Sequence, residues 1–147
     1  MTEKILVVED SDDTREMMAR LLELESFAVI TAEDGRAGLK LAASECPDLI
    51  ITDINLPNLN GIEMIKALRR QPEFIDVPIM ALTAYGRNMA AEALEAGADY
   101  AETKPIEFNT LIEGIQKLLA GSNTTDNLAD SGKLRTNSHP ADGLACD

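Results

Sequence analysis

Apolar residues follow two rhythms along the chain, and their alternation predicts its elements. KILVV at 4–8, AVITA at 28–32, DLIITD at 48–53 and PIMAL at 78–82 are short aliphatic or β-branched runs, with a briefer one near 99–102. Such runs suit strands covered on both faces. Between them the apolar positions fall at helical spacing. Met17, Met18, Leu21, Leu22 and Leu24 follow the first run, and Ala37, Leu39, Leu41 and Ala42 the second. Ile62, Ile65 and Leu68 mark a helix over 61–70, another is expected over 87–96, and Phe108, Leu111, Ile112, Ile115, Leu118 and Leu119 mark the last, over 107–119. Asp12 or Asp13 is expected to cap the first helix, Asp13 in capping-box spacing with Glu16. Gly35 opens the second, which ends before Pro47, and Gly97 stops the fourth. Five β-then-α units of this size predict an α/β single domain: a doubly wound, five-stranded parallel sheet with five helices on its two faces.

Residues 121–147 have no such period. They are rich in Ser, Thr, Asn, Asp and Gly, so a disordered polar tail or linker is expected after a folded unit at 1–120. The tail's four aspartates against Lys133 and Arg135 give −2, leaving −11 on the folded part of a chain with net charge −13. That balance argues against nucleic-acid binding through a basic face and against adsorption to an anionic membrane. MTEKILVVED is too weakly apolar for a signal peptide and no run approaches transmembrane length, so a cytoplasmic location is expected. The Asn123 glycosylation sequon is dismissed on the same ground. Cys46 and Cys146 cannot build a disulfide framework and point to a reducing compartment. Aromatics are only 3% of the chain, so the core must be aliphatic, with Met17, Met18 and Met89 read as filler. His139, with no ligating neighbour in sequence, reads as a solvated bystander.

The chemistry gathers where the strands end. Glu9 and Asp10 follow the first run, Asp53 the third, Thr83 the fourth and Lys104 the fifth. In a doubly wound sheet those ends face one crevice. The loop residues Asn55, Pro57, Asn58, Asn60 and Gly61 directly after Asp53 present its carboxylate at the rim. Crowded carboxylates repel unless a cation joins them. With only oxygen donors available, magnesium is the expected ion, bound by Asp10, Asp53 and the Asn55 carbonyl, with Glu9 through water. Such an ion on one side and Lys104 on the other would let Asp53 act as nucleophile toward an anionic phosphoryl group. Thr83 could then donate a hydrogen bond to the new phosphoryl oxygens and carry its loop along.

ILVVED, LIITDINLPNLNG, ALTA and TKP, in this order and at these intervals, resemble the receiver domain of two-component response regulators, over residues 3–120. The resemblance implies a flavodoxin-like sheet of order 2-1-3-4-5 and a single-domain, chemotaxis-receiver-like switch. It implies a phosphoacceptor at Asp53, metal-binding acids at Glu9 and Asp10, a switch hydroxyl at Thr83, and a phosphate-pairing Lys104 before a cis Pro105. The phosphoryl donor would be a histidine kinase or a histidine phosphotransfer protein. The domain would catalyse only its own phosphorylation and dephosphorylation. Output would pass to a protein on the face of the fourth helix, fifth strand and last helix, where Arg87 and Asn88 fall, with a homodimer left open. One departure stands out. Receivers usually carry an aromatic three residues before the lysine, but here that position is Ala101, and alternation sends Tyr100 to the other face. Tyr85 is then expected to share the output, as a contact residue or as a lid over the crevice.

Two other readings compete. An aspartyl phosphatase of haloacid dehalogenase type would require a general acid two residues after the nucleophile, where Asn55 stands. A phosphorylation-independent docking module would have no use for the acids, Thr83 and Lys104 together.

Overall fold

A computed structural model describes residues 2–84 and 86–121. Five strands, β1 (Lys4–Val8), β2 (Ala28–Ala32), β3 (Leu49–Asp53), β4 (Ile79–Thr83) and β5 (Tyr100–Thr103), form one sheet of order β2-β1-β3-β4-β5. Every neighbouring pair is parallel, with Ile51 opposite Val7 and Met80, and Asp53 opposite Leu82. Five α-helices alternate with them: α1 (Asp12–Leu24), α2 (Gly35–Glu45), α3 (Gly61–Arg69), α4 (Arg87–Ala96) and α5 (Phe108–Gly121). The predicted doubly wound α/β architecture is the one observed.

Side-chain alternation divides the core in two. Leu6, Val8, Ile50, Ile79 and Ala81 turn to the layer of α2, α3 and α4, where Ala42, Met64, Ile65, Leu68 and Ala93 meet them. Ile5, Val7, Ile51, Met80 and Leu82 turn to α1 and α5, against Leu22, Leu111, Ile112 and Ile115. Burial on both faces is why these strands read as unbroken apolar runs.

Some expectations need correction. The N-cap of α1 is Ser11, whose hydroxyl accepts the Thr14 N–H, in place of Asp12 or Asp13. Leu24 and Met17 are exposed, at 80% and 57%. Leu24 lies about 200° around the helix from the buried Leu22, and Met17 likewise falls off the stripe of Met18 and Leu22. A 3-10 turn at Pro72–Phe74, absent from the sequence reading, buries Phe74 beneath the α3–β4 connection. Cys46 is the C-cap of α2, with a left-handed backbone at φ 49°. The expectations for Tyr85, Asn123, His139, Cys146 and the tail lie outside the described residues.

Candidate functional site

Asp53 ends a strand buried along its whole length, so a stiff backbone holds its carboxylate at the C-terminal edge of the sheet. β1 pairs directly with β3, and its next residues, Glu9 and Asp10, emerge beside Asp53. Carboxylate oxygens of Glu9, Asp10 and Asp53 lie within 4.8 Å of one another, a spacing and donor set that fit a divalent cation taking hard oxygen ligands. Glu9 is buried, at 4% exposure, and Asp53 nearly so at 9%. Asp10 is exposed and reaches the group from the solvent side.

Lys104 enters from the far side of the sheet. Its Nζ donates to Glu9 Oε1 at 3.1 Å and to Asp53 Oδ2 at 3.3 Å. Its backbone N–H donates to the Thr83 carbonyl at 2.7 Å, and the Lys104–Pro105 peptide is cis. Burial pulls the lysine pKa down, but the Asp53 charge and the hydrogen bond and charge of Glu9 outweigh it, so the net shift is upward.

Backbone donors complete the shell. Ser11 N–H donates to Glu9 Oε2 at 3.0 Å, and Asn55 N–H to Asp53 Oδ1 at 3.3 Å. Above the acids opens a cleft of about 520 Å³ lined by Asp10, Asp53, Asn55, Leu56, Pro57 and Ala84. Thr83 is fully buried at the end of β4 and does not line it. Gly61 allows the β3–α3 loop to close tightly, since a Cβ there would stand 2.4 Å from the Asp53 carbonyl oxygen.

The structure thus brings together Glu9, Asp10, Asp53 and Lys104, with the Asn55 backbone beside them and Thr83 just beneath. Sequence reasoning missed the contributions of Ser11, Leu56 and Ala84. Ser11 carried a legible signal, a hydroxyl residue opening a helix, hidden by the two aspartates after it.

Tyr100 and Ala101 occupy opposite faces. Tyr100 packs with the α1 and α5 layer and sits 3.8 Å from where a Cβ on Gly114 would lie, whereas Ala101 packs with the α4 layer. Burial, followed by a hydrogen bond with Glu102, raises the Tyr100 pKa.

Residues 5–116 match the family model of the response regulator receiver domain. The alkaline phosphatase synthesis transcriptional regulatory protein PhoP of Bacillus subtilis is 42% identical over 119 residues, covering 78% of this chain and 49% of its own length. Response regulator MprA of Mycolicibacterium vanbaalenii is 35% identical over 137 residues, covering 91% of this chain and 58% of its own. This chain therefore spans about half the length of these relatives. Among solved structures, chemotaxis response regulator CheY4 of Vibrio cholerae superposes with a TM-score of 0.75 at 34% identity, over 80% of this chain and 99% of that one.

Proposed function

The chain belongs to the response regulator receiver domain family, and from that premise we propose how its residues divide the work of a phosphorylatable switch. Family membership lends no support to a haloacid dehalogenase-type phosphatase or to a phosphorylation-independent docking module. Asp53 is the phosphoacceptor: a carboxylate oxygen attacks the phosphorus of a phosphohistidine, the P–N bond breaks, and an acyl phosphate forms. The donor is a histidine kinase or a histidine phosphotransfer protein. The domain catalyses this transfer and its own dephosphorylation, and nothing else.

The observation that carries this reading is the pair of bonds from Lys104 Nζ to Glu9 and Asp53, at 3.1 and 3.3 Å, at the edge of a three-carboxylate cluster. An ammonium there lowers the repulsion between Asp53 and an incoming phosphoryl group, and afterwards pairs with the phosphoryl oxygens. Asp10, Asp53 and the Asn55 carbonyl, backed by Glu9, are the residues to hold Mg2+, which when bound supplies the remaining charge neutralisation. Thr83 is the switch hydroxyl that turns toward the phosphoryl oxygens and draws the β4–α4 loop with it.

Output passes to a protein that docks on α4, β5 and α5, a face that would also serve a homodimer. Arg87 and Asn88 stand exposed at the start of α4, and Leu94 is 48% exposed further along. Among the described residues no helix is long and apolar enough to cross a membrane, and we place the domain in the cytoplasm with its kinase. The folded unit is taken as 1–120, with 121–147 as tail or linker.

Incubation with acetyl phosphate and Mg2+, followed by intact-mass measurement, tests the assignment. The unsubstituted chain should gain the mass of one phosphoryl group, and neither Asp53→Asn nor a chelated sample should gain any. Labelling of Asp53→Asn to the extent of the parent would overturn it.

A further inference from the structure

The β3–α3 loop forms one wall of the cleft, and a side-chain bond to a different loop holds it. Asn58 Nδ2 donates to Asp34 Oδ2 at 2.8 Å, across 24 residues of sequence. Asn58 itself adopts a left-handed backbone, φ 67°, a conformation that asparagine tolerates better than most residues. The other oxygen of Asp34 accepts the Ala37 N–H at 2.8 Å and so caps α2. One carboxylate is thereby bonded to a helix at one side and to the β3–α3 loop at the other.

The two turns also touch directly. A Cβ on Gly35 would stand 1.9 Å from the Leu59 carbonyl oxygen. Within the loop, Leu59 N–H donates to the Pro57 carbonyl at 2.7 Å and Gly61 N–H to the Ile54 carbonyl at 2.8 Å. Asn60 caps α3 by accepting the Glu63 N–H at 3.0 Å. The segment from Asn55 to Asn60 is thus held at both its ends, while the Asp34–Asn58 bond braces its crest against α2. The hydrogen bonds from Ala37 and then Asn58 lower the Asp34 pKa, so the acceptor stays ionised at neutral pH.

We propose that Asp34 and Asn58 are positioning residues, which set the β3–α3 loop so that the Asn55 backbone and the Asp53 carboxylate converge on a divalent cation. The proposal rests on the reading of this cleft given above. Neither side chain touches the reacting atoms. They act by limiting where Asn55 can be, so that the loop loses less freedom when the ion is bound.

Two substitutions cut the same bond from opposite ends. Asn58→Gly removes the amide yet keeps a residue suited to positive φ. Asp34→Ser keeps an N-cap for α2 but is too short to reach Asn58. Mg2+ affinity of the full chain, measured by calorimetry, should weaken about two- to tenfold in each, the range an ordinary hydrogen bond can carry. The double variant should be no weaker than the weaker single, because the bond is already gone. Amides at 54–60 should exchange faster in all variants, while metal-free Asn58→Gly should melt within a few degrees of the parent. Single variants that bind Mg2+ as the parent does, or losses that multiply in the double, would overturn the proposal. A parent chain without Mg2+ affinity would instead overturn the reading of the cleft beneath it.

Discussion

Lys104 keeps 26% of its side chain exposed, yet it lies within 3.3 Å of two carboxylates that are themselves nearly sealed from solvent. Its pKa is lowered by burial and raised more strongly by Asp53 and Glu9, ending above 10.5. An ammonium that binds its proton more tightly folded than unfolded stabilises the fold fully below pH 10.5, and that contribution disappears as pH rises through the raised folded value. Lys104→Met should therefore cost about 1–3 kcal/mol at neutral pH, less than breaking a fully buried pair because water still reaches the lysine. Urea denaturation on either side of pH 10.5 checks this. The gap between parent and variant should shrink in alkali, and a gap that widened would contradict the assignment. At this scale the sequence was legible wherever a residue's partner was set by strand order, as for Asp53 and Lys104. It misled where neighbours share a chemistry: Ser11, Asp12 and Asp13 can all cap a helix, and only the extended backbone at Ser11 (φ −80°, ψ 119°) decides among them.

Arg69, at the end of α3, ties the α3–β4 and α4–β5 connections together at the sheet edge opposite the cleft. Its guanidinium donates to the carbonyls of Phe74, Val77 and Gly97 and pairs with Asp99 at 2.9 Å. The same Asp99 oxygen accepts the Ile79 N–H that begins β4. Removing the guanidinium strands several acceptors at once, so Arg69→Ala should lose about 2–4 kcal/mol of stability. Arg69→Lys should recover only part, because a single ammonium cannot reproduce the planar fork. Both variants should still take up a phosphoryl group when folded, since the clamp lies at the far end of the strands. Thermal melts alongside intact-mass labelling test this, and an unchanged melting temperature in Arg69→Ala would count against the clamp. Sequence periodicity located α3 but could not see this role. A basic residue in a last helical turn reads as a partner for the helix dipole, and two of the partners of Arg69, Gly97 and Asp99, are 28 and 30 residues away. Alternation in β5, by contrast, was enough to place Tyr100 and Ala101 on opposite faces, because period two leaves no freedom once the strand is identified.

For the molecule as a whole, the parallel sheet turns a local event into a distant one. Asp53 on β3 pairs with Leu82, and Thr83, one residue on, pairs with Thr103 of β5 and bonds Lys104 through its carbonyl. A phosphoryl group on Asp53 would thus be one strand away from the β4–α4 loop and two from β5, both on the face assigned to output. Tyr100 is held against α5 and Ala101 stands on the opposite face, so on the function proposed above the change would travel through backbone and loop. Hydrogen exchange of the unsubstituted chain, with and without acetyl phosphate and Mg2+, reads this directly. Peptides covering 83–90 and 100–108 should change their exchange on phosphorylation in the parent and not in Asp53→Asn. A parent chain that carries the phosphoryl group by mass yet exchanges identically over both segments would contradict the account.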